Sequence, residues 1–139
     1  LWVPKGGQKD VLEPACRYIP GEKASTMKEL RASVGIVGQA YRTEAPHFVL
    51  LPEDEFPETE DIHKWLIQDC GFDKETVRDH LRDDRRAYCA IPIIDVDDRV
   101  LGVIYCDSKS LLDADEVARA MEIAKKIAPI FVHVLKVKE

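Results

Sequence analysis

The last quarter of the chain predicts one long amphipathic helix with two apolar seams, and this feature restricts the possible folds more than any other. Asp113 and Glu116 stand at the spacing of a capping box, so we expect a helix from about residue 114 to residue 137. A first seam comprises Val117, Met121, Ala124, Ala128, Phe131 and Leu135, and a second comprises Ala120, Ile123, Ile127, Ile130 and Val134. One seam is enough to cover a sheet, so the other needs a partner helix, either in the same domain or across a dimer. We assign the first seam to a dimer partner.

The two segments before this helix predict a β-hairpin. Residues 85–94 and 99–106 are rich in Ile, Val and Tyr, and the acidic stretch 95–98 between them is a turn signal. A turn centred on Asp97 and Asp98 would place Cys89 directly opposite Cys106 on the neighbouring strand.

The first half of the chain predicts short strands and short helices in alternation. Strands are expected at residues 1–3, 11–18 and 47–51. Helices are expected after a capping box formed by Thr26 and Glu29, over residues 35–42, over residues 61–69, and after a cap at Asp73. Segment 52–58 is acidic and predicts an exposed loop. Helices and a sheet therefore share one fold.

Length and charge exclude several classes of protein. The 139 residues fit a single domain, and 20 Lys and Arg against 26 Asp and Glu give a formal charge of −6, which argues against nucleic acid as a partner. No apolar run reaches the roughly 18 residues of a membrane span. The four cysteines form no C-x-x-C pair, so we expect reduced thiols, no metal site and a cytoplasmic location, with a membrane tether upstream of Leu1 left open.

Three phrases and the order of elements resemble a GAF domain, the small-molecule-sensing module of signalling proteins. The phrases are GIVGQAYRTEAP at residues 35–46, RAYCAIPI at 86–93 and VLGVIYCDS at 100–108. The resemblance implies a single α+β domain over residues 1–139, with the GAF/PAS-like (profilin-like) architecture. A central antiparallel sheet would carry the long C-terminal helix on one face and short helices over a pocket on the other. The family's first helix would be missing before Leu1.

The resemblance implies a non-enzymatic sensory or regulatory domain. It would bind a small molecule and transmit the ligand state through its terminal helices to a homodimer partner and to an attached or separate effector domain. The candidate ligand-binding residues are Phe48, His63, Trp65, Arg86 and Tyr88. Two alternatives stay open: a ligand-free module for dimerisation or protein interaction, and a thiol-based enzyme like the free methionine sulfoxide reductases. Cys89 and Cys106 are the candidate redox residues.

The signatures of the family's cofactors are absent from the sequence. Cyclic-nucleotide-binding members need an Asn and an acidic pair after a Phe, but this chain has no Asn, and Pro57 to Glu60 follow Phe56. No Cys is followed by His, as bilin attachment would require. The histidines available to haem are His47, His63, His80 and His133, each with the pattern of a surface or half-buried residue. We therefore assign no cofactor.

Overall fold

The structure, a computed structural model, describes residues 1–6, 8–15, 27–51, 59–79, 84–110 and 112–136. In chain order its elements are β1 (Trp2–Lys5), β2 (Gln8–Pro14), β3 (Leu30–Arg31), α1 (Gly35–Thr43), β4 (His47–Leu50), α2 (Thr59–Gln68), α3 (Lys74–Asp79), β5 (Ala87–Ile94), β6 (Val100–Ser108) and α4 (Ala114–Lys136). The predicted α+β class is confirmed. None of the described helices combines the length and the apolarity that crossing a bilayer demands.

The six strands form one sheet in the order β3-β2-β1-β6-β5-β4, and every pairing is antiparallel. The hairpin of β5 and β6 is the longest pairing, and it places Cys89 opposite Cys106 as predicted. The register shifts by one residue between Ile93 and Ile94, next to the turn. Such a bulge bends the hairpin locally without changing the pairing of the cysteines further along.

The two faces of the sheet are covered by different helices. Because side chains alternate along a strand, Tyr88 and Ala90 lie on one face of β5, and Cys89 and Ile91 lie on the other. The first face meets the main core, to which α1, α2 and α3 contribute Ile36, Val37, Ala40, Ile62, Leu66 and Val77. The second face meets Ala124 of α4. The layered arrangement implied by the resemblance is therefore confirmed.

The start of α4 has the predicted capping box. The backbone N–H of Asp113 donates to Glu116 Oε2 at 2.9 Å, and the N–H of Glu116 donates to Asp113 Oδ1 at 2.8 Å. Each side chain thus satisfies a backbone donor that has no partner inside the helix.

The assignment of the α4 seams needs a correction, because the first seam faces the sheet. Its residue Ala124 is 4% exposed and packs against Cys89 and Ile91. In the second seam Ile123 is 55% exposed and Ile130 63% exposed. The sequence gives both seams similar apolar content, so it does not show which one the sheet covers. The seam that the described chain leaves exposed is the second one, not the seam from Val117 to Leu135.

The helix predicted after Thr26 is wrong in its described part. Leu30 and Arg31 form the edge strand β3, in which Leu30 pairs with Leu12 of β2. Both leucines are buried in the main core, so tertiary burial overrides a local helix signal here. Thr26, the strand residues 16–18, Cys16, the loop 52–58, His80 and Leu81 lie outside the described residues.

Helix α1 lies very close to the chain that follows β3, and glycine makes this possible. A Cβ on Gly38 would lie 2.5 Å from the carbonyl oxygen of Ala32 and 2.8 Å from its carbonyl carbon. Both of these Ala32 atoms belong to the backbone, so a change of side-chain rotamer cannot relieve the clash. The preceding Gly35 has a positive φ of 58° and donates its N–H to the carbonyl of Gly71. The two glycines therefore fix the position of α1.

The turn of the β5–β6 hairpin is organised by the buried carboxylate of Asp95. Its Oδ1 accepts the backbone N–H groups of Asp97 and Arg99, each at 2.9 Å, and its Oδ2 accepts the Arg99 guanidinium. These hydrogen bonds, led by that from the Arg99 backbone, lower the pKa of Asp95 to about 2. The aspartate-rich segment is therefore a structural turn.

We expect the pH dependence of stability to change when Asp95 is replaced with Asn. The folded pKa of Asp95 is below the value of about 3.9 in an unfolded chain. Its carboxylate therefore stabilises the fold above about pH 4, and this contribution is lost as the pH falls towards 2. The melting temperature of Asp95→Asn should be lower than that of the wild type at pH 6, and the gap should narrow by pH 3.

The matched control for this measurement is Asp97→Asn in the same turn. The Asp97 side chain is 67% exposed, so its replacement should leave the pH profile unchanged. A constant gap between wild type and Asp95→Asn from pH 6 to pH 3 would contradict the assigned role of the carboxylate. Calorimetric scans across this pH range provide the test.

Candidate functional site

A cavity of about 370 Å³ lies where α1, β4 and the end of α2 meet. Its lining residues are Ile36, Gln39, His47, Phe48, Val49, Leu50, Trp65, Asp69 and Cys70. Aliphatic, aromatic, amide, imidazole and carboxylate groups thus surround one space. Small-molecule sites combine apolar walls with a few polar groups in this way, with volumes from about 300 Å³ upwards.

Hydrogen bonds within and between segments hold the cavity wall in place. Gln39 of α1 donates its side-chain Nε2 to the carbonyl of Cys70 at 3.2 Å. The N–H of Asp69 donates to the carbonyl of Trp65 at 2.8 Å, which continues α2 towards its end. Beyond this turn Asp73 caps α3 by accepting the N–H and the hydroxyl of Thr76, each at 2.8 Å. Helix α1 and the α2–α3 connection are therefore tied together across the cavity.

The tautomer of His47 follows from its hydrogen bonds. The Thr43 hydroxyl donates to the carbonyl of Gln39 at 2.9 Å, and the same oxygen lies 2.8 Å from His47 Nε2. A hydroxyl has one hydrogen, so Nε2 must carry the proton and donate to Thr43. In the neutral ring this leaves Nδ1 as the acceptor.

The cavity cysteine is a protonated thiol at neutral pH. Burial, with a smaller contribution from the charge of Asp69, raises the pKa of Cys70 to about 11. A thiolate is the reactive form of cysteine, so Cys70 is a weak nucleophile. Its role in the wall is packing, and its carbonyl anchors Gln39.

The structure brings two of the five predicted ligand-binding residues to the cavity. Trp65 is half-buried in α2 and lines it. Phe48 also belongs to the lining, but it pairs with Cys89 across β4 and β5 and packs against the cluster of Cys89, Ile91 and Ala124. Its ring therefore packs on the face of the sheet that α4 covers.

The other three predicted ligand-binding residues lie away from the cavity lining. His63 is half-buried in α2. Arg86 donates its N–H to the carbonyl of Ser108 and accepts the N–H of Leu51, so its backbone connects three strand ends. Tyr88 is 2% exposed, and its ring centroid lies 6.3 Å from that of Phe72.

Tyr88 shares its face of the sheet with an unsatisfied polar group. The Tyr105 hydroxyl is buried and has no hydrogen-bond partner within the described part of the chain. Burial, followed by the charge of Asp107, raises the pKa of Tyr105 well above its ordinary value.

Cys89 and Cys106 lie on the opposite face of the sheet from the main core. Cys89 packs with Ile91 against Ala124 of α4, and neither cysteine lines the cavity. The described residues form no group of three His, Cys, Asp or Glu side chains that would hold a metal ion.

Sequence reasoning did not select four polar residues of the cavity: Gln39, His47, Asp69 and Cys70. Gln39 and Cys70 are 31 positions apart in the chain, and only the fold joins them. In the sequence, His47 stands out only as one of the histidines available to haem. A signal was present in the glycine-containing start of α1, which indicates close packing of that helix, but it does not identify the neighbouring element.

Comparisons with known proteins agree with this architecture. The sequence matches the family described as GAF domain over residues 7–129. No curated protein sequence matches the chain.

Solved structures of the same fold include GAF domains and an enzyme. A structure described as that of the GAF domain has 19% identity and a TM-score of 0.56, and the match covers 91% of this chain but 57% of that one. The A. aeolicus Nlh2 GAF domain in an inactive state has 17% identity and a TM-score of 0.62, with 99% and 72% covered. The type II free methionine-R-sulfoxide reductase from Thermoplasma acidophilum has 15% identity and a TM-score of 0.56, with 92% and 73% covered. At these identities the likeness shows the fold alone.

Proposed function

Since the chain belongs to the GAF domain family, we propose that it is a regulatory domain that binds a small molecule and transmits the ligand state through α4. GAF domains are in general modules for small-molecule sensing or regulation. The observation that carries the proposal is the cavity between α1, β4 and α2, in which Trp65 stands among polar groups.

The polar groups of the cavity favour a ligand that donates hydrogen bonds. Asp69 contributes a carboxylate. Gln39 contributes its side-chain carbonyl oxygen, because its amide nitrogen already donates to the carbonyl of Cys70. His47 contributes an imidazole whose Nε2 already donates to Thr43. These groups accept hydrogen bonds, while the Trp65 ring offers a flat apolar or cation-binding surface. We propose a small ligand with an amine or amide donor beside a planar or apolar part.

Transmission would use the exposed seam of α4. A second copy of the chain is the partner we propose, because a two-fold axis would place the same apolar stripe against itself. The first turn of α4 is acidic, at Asp115 and Glu116, whereas residues 125–136 contain no acidic side chain. Antiparallel pairing of two α4 helices would bring opposite charges together. An attached or separate effector domain would then respond to a change in this pairing.

The thiol reductase is the enzymatic alternative, and the positions of the cysteines disfavour it. The thiol in the cavity, Cys70, has a raised pKa, and the pair of Cys89 and Cys106 lies behind the sheet. We therefore propose a non-enzymatic domain. We propose a cytoplasmic location, because the sequence has no C-x-x-C pair and no regular cysteine spacing that would predict a disulfide framework.

Binding can be measured through the tryptophan in the cavity. The chain has two tryptophans, Trp2 and Trp65, so a Trp2→Phe variant leaves Trp65 as the sole reporter. Titration with amino acids, nucleobases and small amines is expected to produce one saturable change in Trp65 fluorescence. Asp69→Asn should weaken this binding about tenfold, because it removes the charge from one hydrogen bond, worth about 1.4 kcal/mol.

Arg86→Gln is the matched control, since Arg86 lies outside the cavity lining. It should leave the dissociation constant unchanged. Native mass spectrometry of protein purified from cells, under gentle and then denaturing conditions, provides an independent readout of a co-purified ligand. If no compound class changes the fluorescence and the gentle spectrum shows the bare chain mass, the ligand-free dimerisation module becomes the better description.

A further inference from the structure

Two cysteines are placed as a pair behind the sheet, away from the cavity. Cys89 of β5 and Cys106 of β6 face each other directly in the antiparallel ladder. Directly opposed residues in such a ladder have Cα atoms about 4.5 to 5.5 Å apart, within the range of about 4.4 to 6.8 Å found for disulfides. Neither strand would need to move far for the two sulfur atoms to bond.

The two thiols differ in exposure and in acidity. Cys89 is 7% exposed, whereas Cys106 is exposed to solvent. A hydrogen bond between the two thiols, with Cys89 as the donor, lowers the pKa of Cys106 and raises the pKa of Cys89. An accessible sulfur with thiolate character beside a second thiol is the arrangement of oxidation-sensitive cysteines.

We propose that Cys106 and Cys89 form a reversible peroxide-sensitive thiol pair, with Cys106 as the attacking sulfur and Cys89 as the resolving one. The Cys106 thiolate attacks one oxygen of hydrogen peroxide, the O–O bond breaks, and the products are a sulfenic acid and, after protonation, water. The Cys89 sulfur then attacks the Cys106 sulfur, displaces its hydroxyl as a second water and forms the disulfide. Two electrons pass from the thiols to the peroxide, and an external dithiol returns them.

This proposal does not rest on the ligand proposed for the cavity, although Phe48 both lines the cavity and packs against the cluster that contains Cys89. Cys89 belongs to the same buried cluster as Ala124, so the residue that would change its bonding partner lies beneath α4. The pair therefore lies beside the helix whose outer seam is open to a partner. No residue of the cavity lining takes part in the reaction.

The first experiment measures the reactivity of each thiol in the reduced protein at pH 7. Alkylation by iodoacetamide, followed by peptide mapping, should modify Cys106 about tenfold or more faster than Cys70, because Cys106 is exposed and more acidic, whereas Cys70 is buried and its pKa is raised. Treatment with one equivalent of hydrogen peroxide should then produce an intramolecular link between Cys89 and Cys106. The mass should fall by two hydrogen atoms, and dithiothreitol should restore it.

Variants separate the two roles. Cys89→Ser keeps a hydrogen-bond donor but removes the resolving sulfur, so Cys106 should stay reactive and accumulate as a sulfenic acid that dimedone traps. Cys106→Ser should abolish the link. Cys16→Ser, which removes the cysteine outside the described residues, should leave it unchanged. Peptide mapping of the wild-type protein tests the proposal even if a variant fails to fold. A link through Cys16, a link between two molecules, or equal alkylation rates for Cys106 and Cys70 would overturn the proposal.

Discussion

Replacing Gly38 with Ala is expected to lower the free energy of unfolding by about 2 to 3 kcal/mol, in the upper part of the roughly 1 to 3 kcal/mol that overpacking typically costs. Alanine normally stabilises a helix relative to glycine by about 1 kcal/mol, so the local preference predicts the opposite sign. The clash decides the sign, because the added Cβ would lie 2.5 Å from the carbonyl oxygen of Ala32. Urea denaturation followed by circular dichroism measures the difference.

Gly6→Ala is the matched control for Gly38→Ala. A Cβ at Gly6 would have no neighbour within 4 Å, although its φ of +51° is unfavourable for alanine. This variant should lose only the conformational cost of about 1 kcal/mol. If Gly38→Ala were as stable as Gly6→Ala or more so, α1 would have room to move away from Ala32. If the clash shifts α1, ligand affinity should fall as well, because Ile36 and Gln39 line the cavity.

Elements whose signals are local were predictable from sequence, and those that depend on tertiary contacts were not. The pair Asp113 and Glu116 predicts the start of α4 correctly, since both partners of the capping box lie in one turn. The spacing of Thr26 and Glu29 is the same, yet Leu30 joins a sheet edge. The two segments differ because Leu30 pairs with Leu12 of β2. This pairing partner is distant in the chain, so the local sequence pattern does not indicate it.

The position of the site was less predictable than the fold for a physical reason. Both faces of the sheet are covered, so the alternation of apolar and polar residues that normally identifies the inner face is weak in β4 and β5. Sequence alone could not decide whether Phe48 or Val49 points to the main core. The structure decides it, because Phe48 pairs with Cys89 and Val49 pairs with Tyr88. A one-residue difference in register therefore decides that Phe48, which also lines the cavity, packs against the cluster beneath α4.

Replacing both Ile123 and Ile130 with Lys is expected to convert the proposed dimer into a monomer. The two side chains are 55% and 63% exposed, and they stand seven positions apart, so they lie on one stripe of the helix. Burying two ammonium groups in an apolar contact would cost several kcal/mol, which corresponds to a rise of 100-fold or more in the dissociation constant, at about 1.4 kcal/mol per tenfold. Light scattering at micromolar concentration should change from twice the chain mass of 15.8 kDa to that mass itself.

Ala118→Lys is the matched control, because Ala118 is exposed on the opposite side of α4 from the seam. It adds the same kind of charge to the same helix, so it should leave the dimer intact. Thermal stability separates association from folding: neither seam isoleucine is buried within the chain, so the monomer formed by the double variant should keep a cooperative transition. If the wild type is monomeric at these concentrations, the exposed seam does not bind a second copy of this chain. A dimer that survives the double substitution would move the contact to another surface, and the transmission route through the outer face of α4 would then be wrong.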